Sequence, residues 1–151
     1  MRNTTSARTA LITGASSGFG LLTALTLARH GWQVVATMRD TTRACRLLTA
    51  ADRASCRDRL EVLPLDVTST EQIKALAQEL TNRKSSLDAL VNNAGFAVAG
   101  FADDVSDAEL RQQFDTNFFG AVNLTRALLP IMRRQGFGHI VMVSSVSGRN
   151  D

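Results

Sequence analysis

The sequence predicts an α/β domain built on a doubly wound parallel sheet with helices on both faces. Three observations carry that expectation. Short apolar segments alternate with stretches of helical periodicity along the chain. The first strand-like segment runs directly into a glycine-rich loop, and a helical pattern follows at once. Two of the later helical stretches open on Ser with Gln or Glu three positions on, and helical stretches close on glycine. Connections of this kind predict the strand order 3-2-1-4-5, whose reversal beside the first strand opens a crevice for ligands.

The elements follow in order. Thr9-Ala-Leu-Ile-Thr13 is a short apolar run suited to a buried parallel strand. Gly18 to His30 reads as a helix, with Leu21, Leu22, Leu25 and Ala28 at helical spacing and Gly31 as a left-handed stop. Trp32 to Met38 is the second strand, Thr41 to about Ser55 a weakly patterned helix, and Leu60 to Leu65 the third strand. Ser69 and Gln72 form a candidate capping box ahead of Ile73, Leu76, Ala77 and Leu80. Leu87 to Asn92 is the fourth strand.

Ser106 and Glu109 form a second candidate capping box, opening one long helix from Asp107 to Gln135. Its apolar residues fall on two stripes: Phe114, Phe118, Ala121, Leu128 and Met132 on one, Leu110, Val122 and Leu129 on the other. A helix so widely apolar needs cover on more than one side. Gly136 and Gly138 end it, and His139 to Val143 is the fifth strand. The expected organisation is a short polar tail over residues 1–8 and one domain over 9–151, with no repeats and no linker.

Composition narrows the function classes. A chain of 151 residues with 44% hydrophobic content buries a core. The net charge of +3 comes from arginines scattered along the chain, which argues against a nucleic-acid surface. Cys45 and Cys56 form no C-x-x-C motif and no metal set, and read as free thiols of a reducing compartment. Without a membrane-length apolar run or a signal-peptide core, the expectation is a soluble cytoplasmic protein.

The loop Thr13-Gly-Ala-Ser-Ser-Gly-Phe-Gly20 lies between the first strand and the first helix, where such a sheet receives a pyrophosphate. Gly14 suits the tight turn, Gly18 brings backbone N–H groups close to phosphate without an intervening Cβ, and Gly20 allows close packing of helix on strand. Ser16 and Ser17 add hydroxyl donors, and Phe19 belongs to the same loop.

The glycine spacing G-x-x-x-G-x-G, Asp66-Val67 after strand three, Asn92-Asn-Ala-Gly95 after strand four, Asn117 in the long helix and Ser144-Ser145 after strand five resemble, in this order, the short-chain dehydrogenase/reductase family. The resemblance runs from about Thr9 onward and implies a Rossmann-type domain that binds a nicotinamide dinucleotide. It implies that Asp66 and Val67 meet the adenine and Asn93 the adenosine ribose region, with Ala94 and Gly95 passing close to the cofactor. On the residues alone, Asp66 suits a turn equally well, and Asn92 and Asn93 suit a loop that satisfies strand ends.

The same comparison puts Met38 where members that use NAD carry an acidic residue. Arg39 follows it and suits a 2′-phosphate, so NADP(H) is expected over NAD(H). Asp40 lies about 20 residues past the glycine loop, the spacing of a ribose-binding carboxylate, and is placed here beyond the strand end. Asn117 and Ser145 match the family's catalytic asparagine and serine, Ser145 being preferred to Ser144 because Val146-Ser-Gly148 follows it. On residue type alone a core amide and a strand-end turn explain them equally well.

The family's Tyr-x-x-x-Lys pair, expected about a dozen residues further on, has no counterpart, and the chain contains no tyrosine. The resemblance therefore implies a truncated oxidoreductase: a small alcohol or carbonyl compound is the substrate of the complete protein, and this chain alone is inactive. A non-catalytic nucleotide-binding or interaction protein is the alternative. The long helix is expected to drive self-association.

Overall fold

The computed structural model describes residues 7–83, 86–101 and 103–145. Most of the expected polar tail and the segment Val146-Ser-Gly148 lie outside the described residues.

The strands are β1 (Thr9–Ile12), β2 (Gln33–Met38), β3 (Leu60–Pro64), β4 (Ala89–Asn92) and β5 (His139–Met142). They form a single parallel sheet in the order β3-β2-β1-β4-β5, as the sequence predicts. Between them run α1 (Gly18–Arg29), α2 (Cys45–Arg53) and α3 (Thr70–Asn82). α4 (Asp107–Phe114) and α5 (Ala121–Gln135) lie between β4 and β5.

Strand residues alternate between two apolar layers, because successive side chains leave a strand on opposite faces. Leu11, Val35 and Leu90 join Leu76 of α3 and Leu124 and Leu128 of α5 in one layer. Ile12, Val34 and Val91 join Ala24 and Ala28 of α1 and Leu47 of α2 in the other. Both faces of the inner strands are therefore dry, which explains their unbroken apolar character.

α1 ends as expected, with His30 at its C-cap and Gly31 at φ +86°. The weakly patterned segment after β2 divides in two. A 3-10 turn, Thr41–Ala44, is capped by Asp40 and precedes α2, whose buried face is Leu47 and Ala51. The capping box at α3 is only half made. Ser69 Oγ accepts from Gln72 N–H, but the Gln72 side chain accepts from Asp66 N–H instead of completing the reciprocal bond. The box at α4 is complete, with Ser106 and Glu109 bonded in both directions.

The stretch expected as one α-helix carries a π-helical turn, Asp115–Gly120, between α4 and α5. A π turn takes extra residues and rotates everything beyond it, so a stripe counted at 3.6 residues per turn does not survive the passage. Leu128 and Met132 are buried, whereas Phe114 and Phe118 of the same expected stripe are 53% and 55% exposed. α5 also continues through Pro130, whose ring lies on the exposed side. β5 pairs with β4, and Ile140, Val141, Met142 and Val143 are exposed. Among the described residues, no helix is long and apolar enough to cross a membrane.

Candidate nucleotide-binding site

The carboxyl ends of β1 and β4 are tied together by one hydroxyl. Thr13 is buried, and its Oγ1 accepts from the N–H groups of Asn93 (3.0 Å) and Ala94 (2.9 Å). Asn93 returns the tie, its Nδ2 donating to the carbonyls of Thr13 (2.9 Å) and Gly14 (3.2 Å). On the other side, Ala15 N–H donates to Thr37 O of β2, and Thr37 Oγ1 donates back to Ile12 O. The loop after β1 is thus braced from both neighbouring strands.

Its glycines have distinct reasons to be glycine. Gly14 sits at φ +66°, and a Cβ there would stand 2.9 Å from Ala94 Cα. At Gly20 a Cβ would come within 2.4 Å of both Gly14 O and Asn93 Nδ2, so only a bare backbone lets α1 approach the loop. Gly18, at φ +55°, faces open space, with nothing within 4 Å of an added Cβ. Ser17 is the N-cap of α1 but makes no side-chain capping bond. Ser17 and Phe19, on either side of Gly18, are exposed, and the open space at Gly18 leaves the first-turn N–H groups of α1 accessible to an anion. The residues present therefore fit a pyrophosphate.

At the exit of β2 the chain passes from a buried to an exposed residue. Met38 is 2% exposed, packed in the α1/α2 layer, while Arg39 and Asp40 are exposed. Asp40 Oδ1 accepts from Thr42 N–H at 3.0 Å and from the Thr42 hydroxyl at 2.7 Å. Those bonds, the hydroxyl's first, hold its carboxyl below the ordinary carboxylate range.

At the exit of β3, Asp66 builds a turn: its Oδ1 accepts from Thr68 N–H (2.9 Å) and Thr68 Oγ1 (2.7 Å). Val67 is buried and lies where a Cβ on Gly120 would come within 2.8 Å of its side chain, so Gly120 lets the end of the π turn close on this loop. Asn92 is buried beneath, with Nδ2 donating to Thr125 Oγ1 at 3.0 Å.

The segment after β4 is held by two side-chain amides of the long helix. Asn117, inside the π turn, accepts from Phe96 N–H at 3.0 Å and donates to Phe96 O at 2.7 Å. One helical turn earlier, Gln113 Oε1 accepts from Val98 N–H at 2.6 Å. Gly95 lies against Asn117, where a Cβ would stand 3.1 Å from Oδ1. Ser144 and Ser145 are exposed just beyond β5.

The fold therefore gathers the glycine loop, Arg39, Asp66-Val67, Asn93 to Gly95 and Ser145 at the carboxyl ends of the strands, where ligands of such sheets bind. Asn117 joins them through the Phe96 segment. Sequence reading missed the residues that brace this edge: Thr13, Thr37, Gln113, Gly120 and Thr125. A buried Thr at a strand end was the available signal for Thr13; Gln113 and Thr125 gave none.

A model of short chain dehydrogenases matches residues 8–151. The human protein named retinol dehydrogenase 8 is 47% identical over 144 residues, with 93% of this chain and 45% of its own length covered. An uncharacterised oxidoreductase of Bacillus subtilis, YusZ, is 42% identical over 139 residues, covering 92% of this chain and 49% of its own. Among solved structures, a short-chain dehydrogenase from Streptomyces avermitilis superposes with a TM-score of 0.85 at 40% identity, covering 97% of this chain and 52% of that one. A metagenomic short-chain oxidoreductase in complex with NADP gives 0.86 at 31% identity, covering 97% and 66%. The chain spans about half the length of the curated relatives it matches.

Proposed function

This chain belongs to the short-chain dehydrogenase family, and from that premise we propose that it is the nucleotide-binding half of an oxidoreductase acting between NADP(H) and an alcohol or carbonyl compound. The observation that carries the reading is the loop from Gly14 to Gly20, braced from β2 and β4 and open in front of Gly18.

In this reading Gly14, Gly18 and Gly20, with Ser16, Ser17 and Phe19, hold the pyrophosphate by backbone N–H groups and hydroxyls. Asp66 and Val67 border the adenine, and Asn93, Ala94 and Gly95 border the nucleoside; Asn93 acts through the loop it braces. Arg39, exposed beside a buried Met38, offers its guanidinium to a 2′-phosphate, which supports NADP(H) over NAD(H). When bound, the nicotinamide ring gives or takes the hydride. The Ser145 hydroxyl holds the substrate oxygen by donating a hydrogen bond to it, and Asn117 fixes the segment between β4 and the helix through Phe96.

These 151 residues include no tyrosine, so they hold no general acid/base of that type. Binding without turnover is therefore the expected behaviour of the chain by itself, and the exposed phenylalanines Phe114, Phe118 and Phe119 favour its self-association. The test is titration of the chain with NADP(H) and NAD(H), followed by nicotinamide absorbance with a panel of alcohols and carbonyl compounds. Saturable NADP(H) binding with no turnover supports the reading. No binding of either nucleotide, or turnover that Ser145→Ala abolishes, refutes it in part or whole.

A further inference from the structure

We propose that Thr42 sets the nucleotide preference of this chain by holding the Asp40 carboxylate away from the adenosine ribose. The inference rests on the reading above, in which the adenosine end of the nucleotide lies at the exit of β2. A carboxylate at that exit is the group that accepts the ribose hydroxyls of NAD and repels the extra phosphate of NADP. Asp40 is such a carboxylate, exposed, two residues beyond the buried Met38 and next to Arg39. Left free, it would oppose Arg39.

It is not left free. One oxygen, Oδ1, takes both the N–H and the hydroxyl of Thr42, at 3.0 and 2.7 Å. The backbone at Asp40 is extended, and the 3-10 turn it caps ends on Ala44, buried in the apolar layer that also holds Met38. The turn is therefore anchored at both ends, and Arg43 one step on adds positive charge on the Asp40 side. Two donors on one oxygen also draw off the negative charge that a ribose or a phosphate would otherwise meet. The hydroxyl contributes the shorter of the two bonds. A residue without it leaves Asp40 one backbone bond and more freedom to turn toward the ribose.

The test is a cycle of variants on an exposed turn, titrated with NADP(H) and NAD(H) separately: Thr42→Val, Thr42→Ser, Asp40→Asn, and Thr42→Val with Asp40→Asn. Thr42→Val is expected to lower the ratio of NADP(H) to NAD(H) affinity by at least about threefold, the scale of one exposed hydrogen bond to a charge. Thr42→Ser is expected to leave the ratio in place. Asp40→Asn alone should not weaken NAD(H), and in the Thr42→Val background it should restore the ratio. An unchanged ratio in Thr42→Val, even with a lowered melting temperature, shows that Thr42 merely caps the turn and overturns the proposal. Weaker NAD(H) binding in Asp40→Asn alone shows that Asp40 already serves the ribose and overturns it too. If Arg39→Ala leaves NADP(H) affinity unchanged, the parent reading of the β2 exit fails, whatever Thr42 does.

Discussion

The side-chain amide of Asn117 makes both of its bonds to a single residue, accepting the Phe96 N–H and donating to the Phe96 carbonyl. It thereby treats Phe96 as a neighbouring strand would, and Gln113 repeats half of the pattern at Val98. Asn117→Leu is expected to lose native-state exchange protection at the Phe96 amide and to cost about 0.5 to 1.5 kcal/mol, the usual net worth of such bonds. Asn117→Asp keeps the acceptor and should keep the protection. Gln113→Ala should expose Val98 alone. Hydrogen exchange read residue by residue decides between these outcomes.

Gly20 and Gly18 should fail differently when replaced by alanine. At Gly20 the new Cβ meets the Gly14 carbonyl and the Asn93 amide, so the loop must shift at a cost of about 1 to 3 kcal/mol, and both melting temperature and nucleotide affinity fall. At Gly18 the Cβ meets nothing, and only the left-handed backbone costs about 1 to 2 kcal/mol. Nucleotide affinity should fall further than stability, because the added methyl occupies the space proposed for the phosphates. Equal losses in both variants would contradict the placement.

Arg39→Ala is expected to weaken NADP(H) by about tenfold or more, the scale of a charge-assisted bond, while NAD(H) changes little. The NADP(H) affinity of the native chain should also fall with added salt. Met38→Asp, the obvious route to NAD(H), is a poor instrument here. Its side chain lies in the core with Ile12 and Leu47, so the new carboxylate would be buried without a partner and the fold would suffer first.

Leu110, Phe114, Phe118 and Phe119 share the exposed part of the long helix, and β5 offers exposed apolar residues on an outer strand. Sedimentation of the purified chain is expected to show dimers or larger species. Phe114→Glu with Phe118→Glu should shift the distribution toward monomer without lowering the melting temperature. A native chain that sediments as a monodisperse monomer would remove the basis for this expectation.

Acid should weaken the tie at the end of α3. Arg83 bridges Glu61 of β3 and Glu79 of α3, and its bonds hold the Glu61 carboxyl below its ordinary value of 4.5. A folded value below the unfolded one means the pair's stabilisation is fully present above the ordinary value of 4.5 and is lost as pH falls through the lowered value. Solvent reaches the pair, so the contribution stays below about 1 kcal/mol. Arg83→Ala should therefore lower stability slightly at neutral pH and by less in acid, as Glu61 becomes protonated, a difference that denaturant melts at neutral and acid pH will register.

Element types and sheet order were legible because they rest on local patterns: apolar runs for strands buried on both faces, capping residues and a left-handed glycine for α1 and α4. The glycine loop was legible for the same reason. The π turn was not, since no local preference marks Asp115 to Gly120; it is fixed by Asn117 reaching Phe96 and by Gly120 closing on Val67. Once it is present, the helical count that placed Phe118 with Leu128 on one stripe no longer applies. Likewise Gln72 looked like half of a capping box, but Asp66 N–H, six residues away, claimed its side chain. Tertiary partners overrode local grammar at both places.

The hydroxyl of Thr13 bonds residues 80 and 81 positions further along the chain. Contacts so distant in sequence are costly to close and belong to the slow part of folding. The glycine loop owes its shape to them, so it cannot be set while β1 is paired with β2 alone. The proposed nucleotide cradle matures only when β4 docks, which makes this loop and the middle of the sheet a single event in folding time. A nucleotide that recognises the finished loop would then act on the late side of the folding barrier, slowing unfolding more than it hastens folding.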